Sequence, residues 1–200
     1  PIPSKIGIIL PTGQCPVFDL IEAGRDTDCA RAAVVKDAGD DPDVTHGATI
    51  RATVRFGDAG TGLQFRAGKG VGMVTKPGLP IPPGQPAINP KPREIIETNL
   101  RAVLTDPQDA LDLVVEISIP GGEELARKTW NPRLGIIGGL SVLGTTGVVI
   151  PYSCSAWIHS IHRGIDFARA NAMHHVVAAT GKNSEDVARN LVITVPYTNL

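Results

Sequence analysis

Ten residues between two apolar runs hold an unusual density of groups that can bind cations or move protons. The segment from Asp37 to His46 contains one histidine and the aspartates Asp37, Asp40, Asp41 and Asp43. An EF-hand beginning at Asp41 would need glycine at the position of His46 and glutamate at that of Ala52, so the spacing excludes it. Three interpretations stay open: a turn whose aspartates bond local amides, a metal-dependent phosphohydrolase site, and the polar rim of a ligand pocket.

A second cluster is the glycine-rich segment from Leu134 to Val149. From Gly139 it reads G-x-x-x-x-G-T-T, a phosphate-binding loop in which Thr145 replaces the lysine that neutralises the outer phosphates. It also lacks the G-x-G-x-x-G spacing of dinucleotide sites, so neither an NTPase nor a dinucleotide enzyme is predicted. The pattern indicates a loop after a strand whose amides and hydroxyls can meet a ligand. Glycines that serve tight turns alone are the alternative.

Charge, cysteines and hydropathy narrow the class of protein. Nineteen basic and twenty acidic residues give a net charge of -1, which predicts no nucleic-acid partner and no attraction to a membrane surface. Cys15, Cys29 and Cys154 form no C-x-x-C pair, so we expect a reducing, cytoplasmic setting without structural zinc. His159 and His162 are three residues apart but lack a third ligand, and no metal site is predicted. No apolar run is long enough to span a membrane.

The strands that position these clusters are predicted from hydrophobic periodicity. Residues 48–56 alternate between apolar and polar side chains, which predicts a strand with one basic, hydroxylated face toward solvent. Leu111 to Ile119 alternates in the same way. Shorter apolar runs at Ile6 to Leu10 and Ala32 to Val35 predict two more strands.

Between these strands lies a long segment rich in proline. Residues 68–92 must form an extended loop, because proline disrupts helices and central strands. Asn89 can cap the helix that follows, which is expected to end at Asp106. Residues 1–132 are therefore predicted to form an α+β domain with antiparallel pairing.

The pattern of predicted secondary structure changes after Asn131. Short strands are predicted at Leu134 to Ile137, His175 to Ala179 and Val192 to Val195. They alternate with helices capped by Ser153 and Ser184, the first carrying Trp157, Ile161 and Ala168 on one side. Such alternation predicts parallel β-α-β units, so an α/β domain is expected over residues 133–200. Because about three strands are few for such a sheet and the chain begins at Pro1, we expect a fragment of a longer protein.

Five motifs follow one another in an order known from one family. They are V-V-K-D-A-G-D-D-P-D-V-T-H-G from Val34, V-G-M-V-T-K-P-G-L from Val71, P-A-I-N-P-K-P-R from Pro86, I-P-G-G-E-E-L-A from Ile119 and N-P-R-L-G-I-I-G-G-L-S-V-L-G-T-T-G from Asn131. On these motifs the sequence resembles the CbiD family of anaerobic cobalamin synthesis, densely from Ala33 to Val149. The resemblance implies methyl transfer from S-adenosylmethionine to ring carbon 1 of cobalt-precorrin-5B, giving cobalt-precorrin-6A. Cobalt would enter only as part of that substrate.

The chemistry of the reaction that this resemblance implies gives each cluster an expected role. Movement of a proton needs a base, for which the candidates are Asp41, Asp43 and His46. The glycine-rich loop is expected to bind the methyl donor through Gly138, Gly139, Ser141, Gly144, Thr145, Thr146 and Gly147. A tetrapyrrole that carries carboxylates needs polar and basic partners, for which the candidates are Lys36, Asp37, Arg51, Lys76, Asn89, Arg93 and Arg133.

Two further expectations complete the sequence analysis. Replacing Gly139 by valine should weaken donor binding while the fold stays intact, if that glycine lets the donor approach the backbone. A non-catalytic carrier of tetrapyrroles or corrinoids is the alternative function, which would keep the basic residues and need no donor site. Neighbouring enzymes of the pathway are candidate partners, and the oligomeric state is left open.

Overall fold

The fold is a mixed α/β arrangement, which a computed structural model describes for residues 2–106 and 109–192. In chain order its strands are β1 Lys5–Gly7, β2 Val17–Asp19, β3 Glu22–Arg25, β4 Cys29–Val35, β5 Thr49–Phe56, β6 Gln64–Ala67, β7 Gly70–Val71, β8 Met73–Val74, β9 Leu113–Ser118, β10 Ile136–Ile137 and β11 Gly139–Leu140. Its helices are α1 Pro90–Ala102, α2 Gly122–Ala126, α3 Cys154–Ala170 and α4 Lys182–Val192.

The main sheet has five strands in the order β3-β4-β5-β9-β6. Adjacent strands in this sheet are antiparallel, except that β9 and β6 are parallel. In the register of the sheet, Ala52 of β5 lies between Ala32 of β4 and Ile117 of β9. Because alternate residues of a strand share a face, Ile50, Ala52 and Val54 all pack against the core, as the alternation over residues 48–56 predicts.

The core joins this sheet to segments that are distant in the sequence. Val115 of β9 is 1% exposed, and Ile88, just before α1, is fully buried. Val71 of β7 and Leu140 of β11 complete the same cluster. The Pro-rich stretch and the glycine-rich segment are therefore built into the core through their apolar residues.

Short strand pairs hold the glycine-rich segment in place. β10 pairs with β8 in antiparallel fashion, and β11 pairs with β7 in parallel. Val142 extends this contact, because its amide donates to the carbonyl of Ala87 at 2.8 Å and its carbonyl accepts from the amide of Asn89 at 2.9 Å. The two segments therefore lie side by side.

Two helices begin near the predicted positions. Asn89 occupies the N-cap of α1 in an extended conformation but makes no side-chain cap hydrogen bond, while Pro90 and Pro92 lie in the first turn, which tolerates residues without an N–H. Ser153 caps α3, since its hydroxyl accepts from the amide of Ala156 at 3.3 Å. Proline at the start of α1 means that the extended loop ends at Asn89, earlier than predicted.

Other predicted elements differ from the structure. Leu134 to Ile137 is a strand only at Ile136–Ile137, because Pro132–Leu134 form a 3₁₀ turn that ends on Gly135 with a φ of 66°. His175 to Ala179 is not a strand; its valines are exposed and no strand in the described part of the chain pairs with it. The predicted strand at Val192 to Val195 lies outside the described residues after Val192, where α4 ends.

The second half of the chain is less regular than predicted. α4 begins at Lys182, and Ser184 within its first turn accepts from the amides of Thr180 and Gly181. On α3, Phe167 and Ala168 are buried, whereas Trp157 is 68% exposed. The strands after residue 133 pair with β7 and β8 of the first half. A division into two domains near residue 133 stays a prediction.

Candidate functional site

The acidic residues lie in the loop that joins β4 to β5. Two backbone hydrogen bonds close this hairpin loop, from the amide of Lys36 to the carbonyl of Ala48 and from the amide of Gly47 to the carbonyl of Lys36, both 2.9 Å. Antiparallel pairing of two strands thus brings Lys36 beside the far end of the loop. We call residues 36–47 the acidic hairpin loop.

Lys36, Asp43 and Thr45 form a hydrogen-bonded cluster inside the acidic hairpin loop. The ammonium of Lys36 donates to the carboxylate of Asp43 and to the hydroxyl of Thr45. Both the amide and the hydroxyl of Thr45 donate to Oδ1 of Asp43, at 2.8 and 2.7 Å. Burial raises the pKa of Asp43, but the hydrogen bonds from Lys36 and Thr45 outweigh it and hold the pKa below its ordinary value. Asp43 is therefore an anion whose lone pairs are largely occupied.

His46 and Asp37 also have partners within the loop. Nδ1 of His46 accepts from the amide of Ala38 at 3.1 Å, so a neutral ring carries its proton on Nε2. Oδ1 of Asp37 accepts from the amide of Gly39 at 2.8 Å, and its distance of 3.7 Å from His46 Nδ1 is too long for a hydrogen bond. His46 is consequently placed to donate through Nε2. Asp41 is half-buried and makes no side-chain hydrogen bond to the described residues.

The glycine-rich segment is held in place by Asn131, a buried polar residue three positions before Leu134. Nδ2 of Asn131 donates to the carbonyl of Gly139, and Oδ1 accepts from the hydroxyl of Ser141, both at 3.2 Å. The backbone carbonyl of Asn131 accepts from the amide of Ile136 at 2.9 Å. One side chain therefore fixes β11 on both sides of Leu140.

Gly139 has a structural role that the sequence prediction missed. A Cβ at Gly139 would lie 2.2 Å from the carbonyl oxygen of Gly70, and a Cβ at Gly122 would meet the same oxygen at 2.2 Å. Such distances occur only where backbones pack directly on each other. The expectation that Gly139→Val leaves the fold intact is therefore wrong.

The outer part of the glycine-rich segment is open. Gly138 has a φ of 88° with no atom within 4 Å of its Cβ position, and the same space is free at Gly144. Thr145 is exposed, and its hydroxyl makes no hydrogen bond to the described residues. Thr146 instead bonds the backbone of Val148, with its hydroxyl accepting from the amide at 3.2 Å. A Cβ at Gly147 would lie 2.7 Å from Leu10, so this glycine is packed.

The predicted substrate-binding cations divide into paired and unpaired groups. Nε and Nη2 of Arg51 both donate to Oε2 of Glu22, at 2.9 and 2.7 Å, and Arg133 donates to Glu185 at 3.1 Å. Lys36 is paired within the acidic hairpin loop. By contrast, no carboxylate of the described residues lies within salt-bridge distance of Lys76 or Arg93.

Of these two cations, Lys76 lies in the Pro-rich segment and Arg93 lies in α1. The aliphatic stem of Lys76 packs against Gly135, where an added Cβ would lie 3.0 Å from it. Asn89 lies beside Val142, because its amide donates to the Val142 carbonyl, so the backbones of the Pro-rich and glycine-rich segments run next to each other. In the described residues, no hydrogen bond or ion pair joins the acidic hairpin loop to residues 138–147.

Two structural findings bear on other classes of site. Over residues 2–106 and 109–192, no three His, Cys, Asp or Glu side chains are arranged to hold a metal ion. The helices of this same part of the chain include none long and apolar enough to cross a membrane.

Comparison with known proteins shows which family this chain belongs to. The described part of the chain is a mixed α/β protein whose polar loops lie at strand ends. A family model described as CbiD matches residues 1–151, and on that match the chain belongs to the CbiD family. A crystal structure of the cobalamin biosynthesis protein CbiD from Archaeoglobus fulgidus is similar, with a TM-score of 0.54 and 26% identity, over 94% of this chain and 58% of that one.

Curated relatives are closer in sequence. The cobalt-precorrin-5B C(1)-methyltransferase of Brucella anthropi is 60% identical over 189 residues, which are 94% of this chain and 51% of the relative. A protein of the same name from Paramagnetospirillum magneticum is 60% identical and is covered over 53% of its length. The chain thus spans about half the length of the curated relatives it matches.

Proposed function

We propose that the protein containing this chain transfers a methyl group from S-adenosylmethionine to ring carbon 1 of cobalt-precorrin-5B and yields cobalt-precorrin-6A. The observation that carries this proposal is the 60% identity, over 94% of the chain, to relatives named for that reaction. A cytoplasmic location and a tetrapyrrole substrate belong to the same proposal.

The reaction sets clear demands on the protein. The C–S bond of the donor breaks as the C–C bond to the ring carbon forms, and the electron pair stays on sulfur to give S-adenosylhomocysteine. The two reactants must be held in line, with the reacting atoms roughly 3–3.5 Å apart. Positioning is thus the main task of this chain's own residues.

The outer glycine-rich segment suits the donor. The donor has a carboxylate, an amine, a ribose and an adenine but no phosphate, so a loop with Thr145 in place of lysine fits it better than it fits a nucleoside triphosphate. The open space at Gly138 lets a ligand approach the backbone, and Thr145 offers a hydroxyl, whereas the hydroxyl of Ser141 donates to Asn131. Gly139 supports this surface from below.

Asp41 is the strongest candidate for the residue that moves a proton. The carboxylate of Asp43 is occupied by Lys36 and Thr45, and the acceptor nitrogen of His46 is occupied by the amide of Ala38. A general base needs a free lone pair within reach of the proton it removes. Among the predicted catalytic residues, Asp41 has a carboxylate that accepts no hydrogen bond from the described residues, so its lone pairs are available.

The function is tested with the full-length protein, cobalt-precorrin-5B and donor labelled in the methyl group. We expect a product that gains one methyl group together with one equivalent of S-adenosylhomocysteine. Asp41→Asn should lower turnover at least tenfold, about 1.4 kcal/mol of transition-state stabilisation. Asp40→Asn, a matched change at an exposed residue of the same loop, should leave turnover unchanged. Absence of methyl transfer by the unmodified protein contradicts the proposal.

The carrier alternative makes a different prediction. A carrier binds the tetrapyrrole and shows no heat of binding with S-adenosylmethionine in calorimetry. The names of the curated relatives do not favour it.

A further inference from the structure

A groove opens where the Pro-rich segment meets α1. Its volume is about 310 Å³, and it is lined by Pro80, Ile81, Pro82, Gln85, Pro90 and Arg93. Most of these side chains are apolar, and Arg93 supplies the positive charge. The wall is stiff, because the prolines fix the backbone φ angles.

Arg93 is held in one orientation from two sides. Its Nε donates to the carbonyl of Ile88 at 2.8 Å, and its Nη2 donates to the carbonyl of Pro86 at 3.2 Å. The guanidinium carbon lies 5.1 Å from the ring centre of Phe65, within range of a cation–π interaction. The guanidinium is thereby preorganised by the fold.

The charge of Arg93 has no anionic partner among the described residues. The two carboxylates of α1 near it are engaged elsewhere, since Glu94 accepts from Lys91 at 2.6 Å and Glu97 accepts from Arg101. Burial lowers the pKa of Arg93, which reflects the cost of removing its charge from water. Arginine nevertheless stays protonated in proteins, so an uncompensated cation faces the groove.

We propose that this groove binds a carboxylate carried on a short alkyl arm. Arginine has five N–H donors, and the two that bond to carbonyls leave others for a carboxylate, whose two oxygens match the guanidinium geometry. The proline and isoleucine side chains suit the methylene part of the arm. Resting on the proposed function, the arm is one of the carboxylate side chains of the tetrapyrrole, and Arg93 fixes how that macrocycle is oriented.

The test uses Gln85, because changing Arg93 itself would break its bonds to Pro86 and Ile88. Gln85 is exposed and lines the groove, and its backbone carbonyl and amide bond Val74 and Pro82. Its side chain makes no hydrogen bond to the described residues. Gln85→Glu adds a negative charge to the groove and Gln85→Lys adds a positive one, without removing a structural contact.

Binding is measured by calorimetry on the full-length protein with two probes. One is a cobalt corrin with free carboxylates, and the other is the same corrin fully methyl-esterified. We expect Gln85→Glu to weaken binding of the acid about two- to fivefold and Gln85→Lys to strengthen it by a similar factor, with no change for the ester. Gln14→Glu, the same substitution in the loop between β1 and β2, should change the affinity for neither the acid corrin nor the esterified corrin.

A second measurement separates this proposal from the proposed function. Glutarate, a small dicarboxylate, is titrated while the Nε–H resonance of Arg93 is followed by NMR. If the acid corrin binds but both Gln85 variants match the unmodified protein, the groove proposal is wrong and the proposed function stands. If no corrin binds but glutarate shifts the Arg93 resonance with opposite changes in the two variants, the carboxylate site stands and the tetrapyrrole does not. If neither probe binds, both proposals fail.

Discussion

The acidic hairpin loop and the glycine-rich segment achieve order by different means. In the loop, charged and polar side chains satisfy one another, with Asp43 at the centre of bonds from Lys36 and Thr45. In the glycine-rich segment, the backbones of Gly139 and Gly70 pack directly against each other, and the hydroxyl of Thr145 makes no hydrogen bond within residues 2–106 and 109–192. The region with the greater density of charge is therefore the more self-contained one. Polar density in a sequence does not by itself show which groups are available to a ligand.

The largest effect on stability is expected at Gly139, where the backbone packs directly against that of Gly70. Gly139→Ala should lower the free energy of unfolding by about 3 kcal/mol or more, because the added Cβ would lie 2.2 Å from the Gly70 carbonyl oxygen. Gly164→Ala in α3 is the matched control, since its Cβ position is free of neighbours and alanine favours helix by about 0.5–1 kcal/mol. Chemical denaturation measures both. Equal stability of the two variants would mean that the close packing at Gly139 is absent in solution.

A smaller loss should follow from changing the buried amide. Asn131→Asp keeps an acceptor for Ser141 but places a carboxylate against the carbonyl of Gly139, so we expect the free energy of unfolding to fall by about 2 kcal/mol. Ser141→Ala removes only one half-exposed bond and should cost about 1 kcal/mol. Thermal and urea unfolding of both variants give the comparison. The role assigned to Asn131 is wrong if the aspartate variant is the more stable of the two.

The Lys36–Asp43–Thr45 cluster of the acidic hairpin loop should make the free energy of unfolding depend on pH. The pKa of Asp43 is lower in the folded state, so its contribution is present above the unfolded pKa and is lost as pH falls through the folded value. Asp43→Asn should lower the free energy of unfolding by about 1 kcal/mol at neutral pH, a modest value because solvent screens the half-exposed cluster. This difference should vanish in acid.

Urea unfolding from neutral pH to about pH 3 tests this dependence. Some acid sensitivity should remain in the variant, because the amides of Gly60 and Gly62 also lower the pKa of Asp112. Asp40→Asn, at an exposed residue of the same loop, should follow the unmodified curve. Parallel curves for the Asp43 variant and the unmodified protein would contradict the stabilising cluster.

The smallest effect is expected for the hydroxyl of Thr145, which should affect only the affinity for the methyl donor. Thr145→Val should leave the unfolding temperature unchanged and weaken binding of S-adenosylmethionine about three- to fivefold, as expected for one lost hydrogen bond. Thr146→Val removes the hydroxyl that accepts from Val148 and should instead lower the unfolding temperature slightly. Calorimetry and thermal unfolding on the full-length protein separate the two. Unchanged donor affinity in the Thr145 variant would place the donor elsewhere.

Hydrophobic periodicity predicts β5, β9 and the second half of β4 in the main sheet, but it does not predict β3 or β6. Alternation over residues 48–56 and from Leu111 to Ile119 corresponds to β5 and β9, because a strand with one buried face must alternate. The apolar run His175 to Ala179 has the composition of a strand but lacks a partner in the described structure. A strand is stabilised by its neighbours, so composition alone cannot predict it.

For the candidate site, the sequence predicts only which segments are rich in polar groups and glycine. The sequence indicated both polar segments, since aspartate, histidine, glycine and threonine cluster there. It could not indicate that Lys36 binds Asp43 across the hairpin, or that Gly139 meets Gly70, because these contacts depend on long-range register. The role of Asn131 cannot be predicted from the sequence for the same reason, because its partners Gly139 and Ser141 are set by the fold. The predicted roles of Asp41, the donor-binding residues and the substrate-binding residues remain predictions.

The parallel pairing of β6 with β9 has a consequence for how the chain folds. These strands are separated in the sequence by the whole Pro-rich segment and α1, whereas β3, β4 and β5 follow one another as hairpins. Closing a long loop costs chain entropy before any strand contact compensates for it, so non-local pairing slows folding. The three-stranded meander can therefore assemble early, while β9 must wait for the intervening chain to compact. The prolines restrict that chain before it folds, which reduces the entropy lost when β9 enters the sheet between β5 and β6.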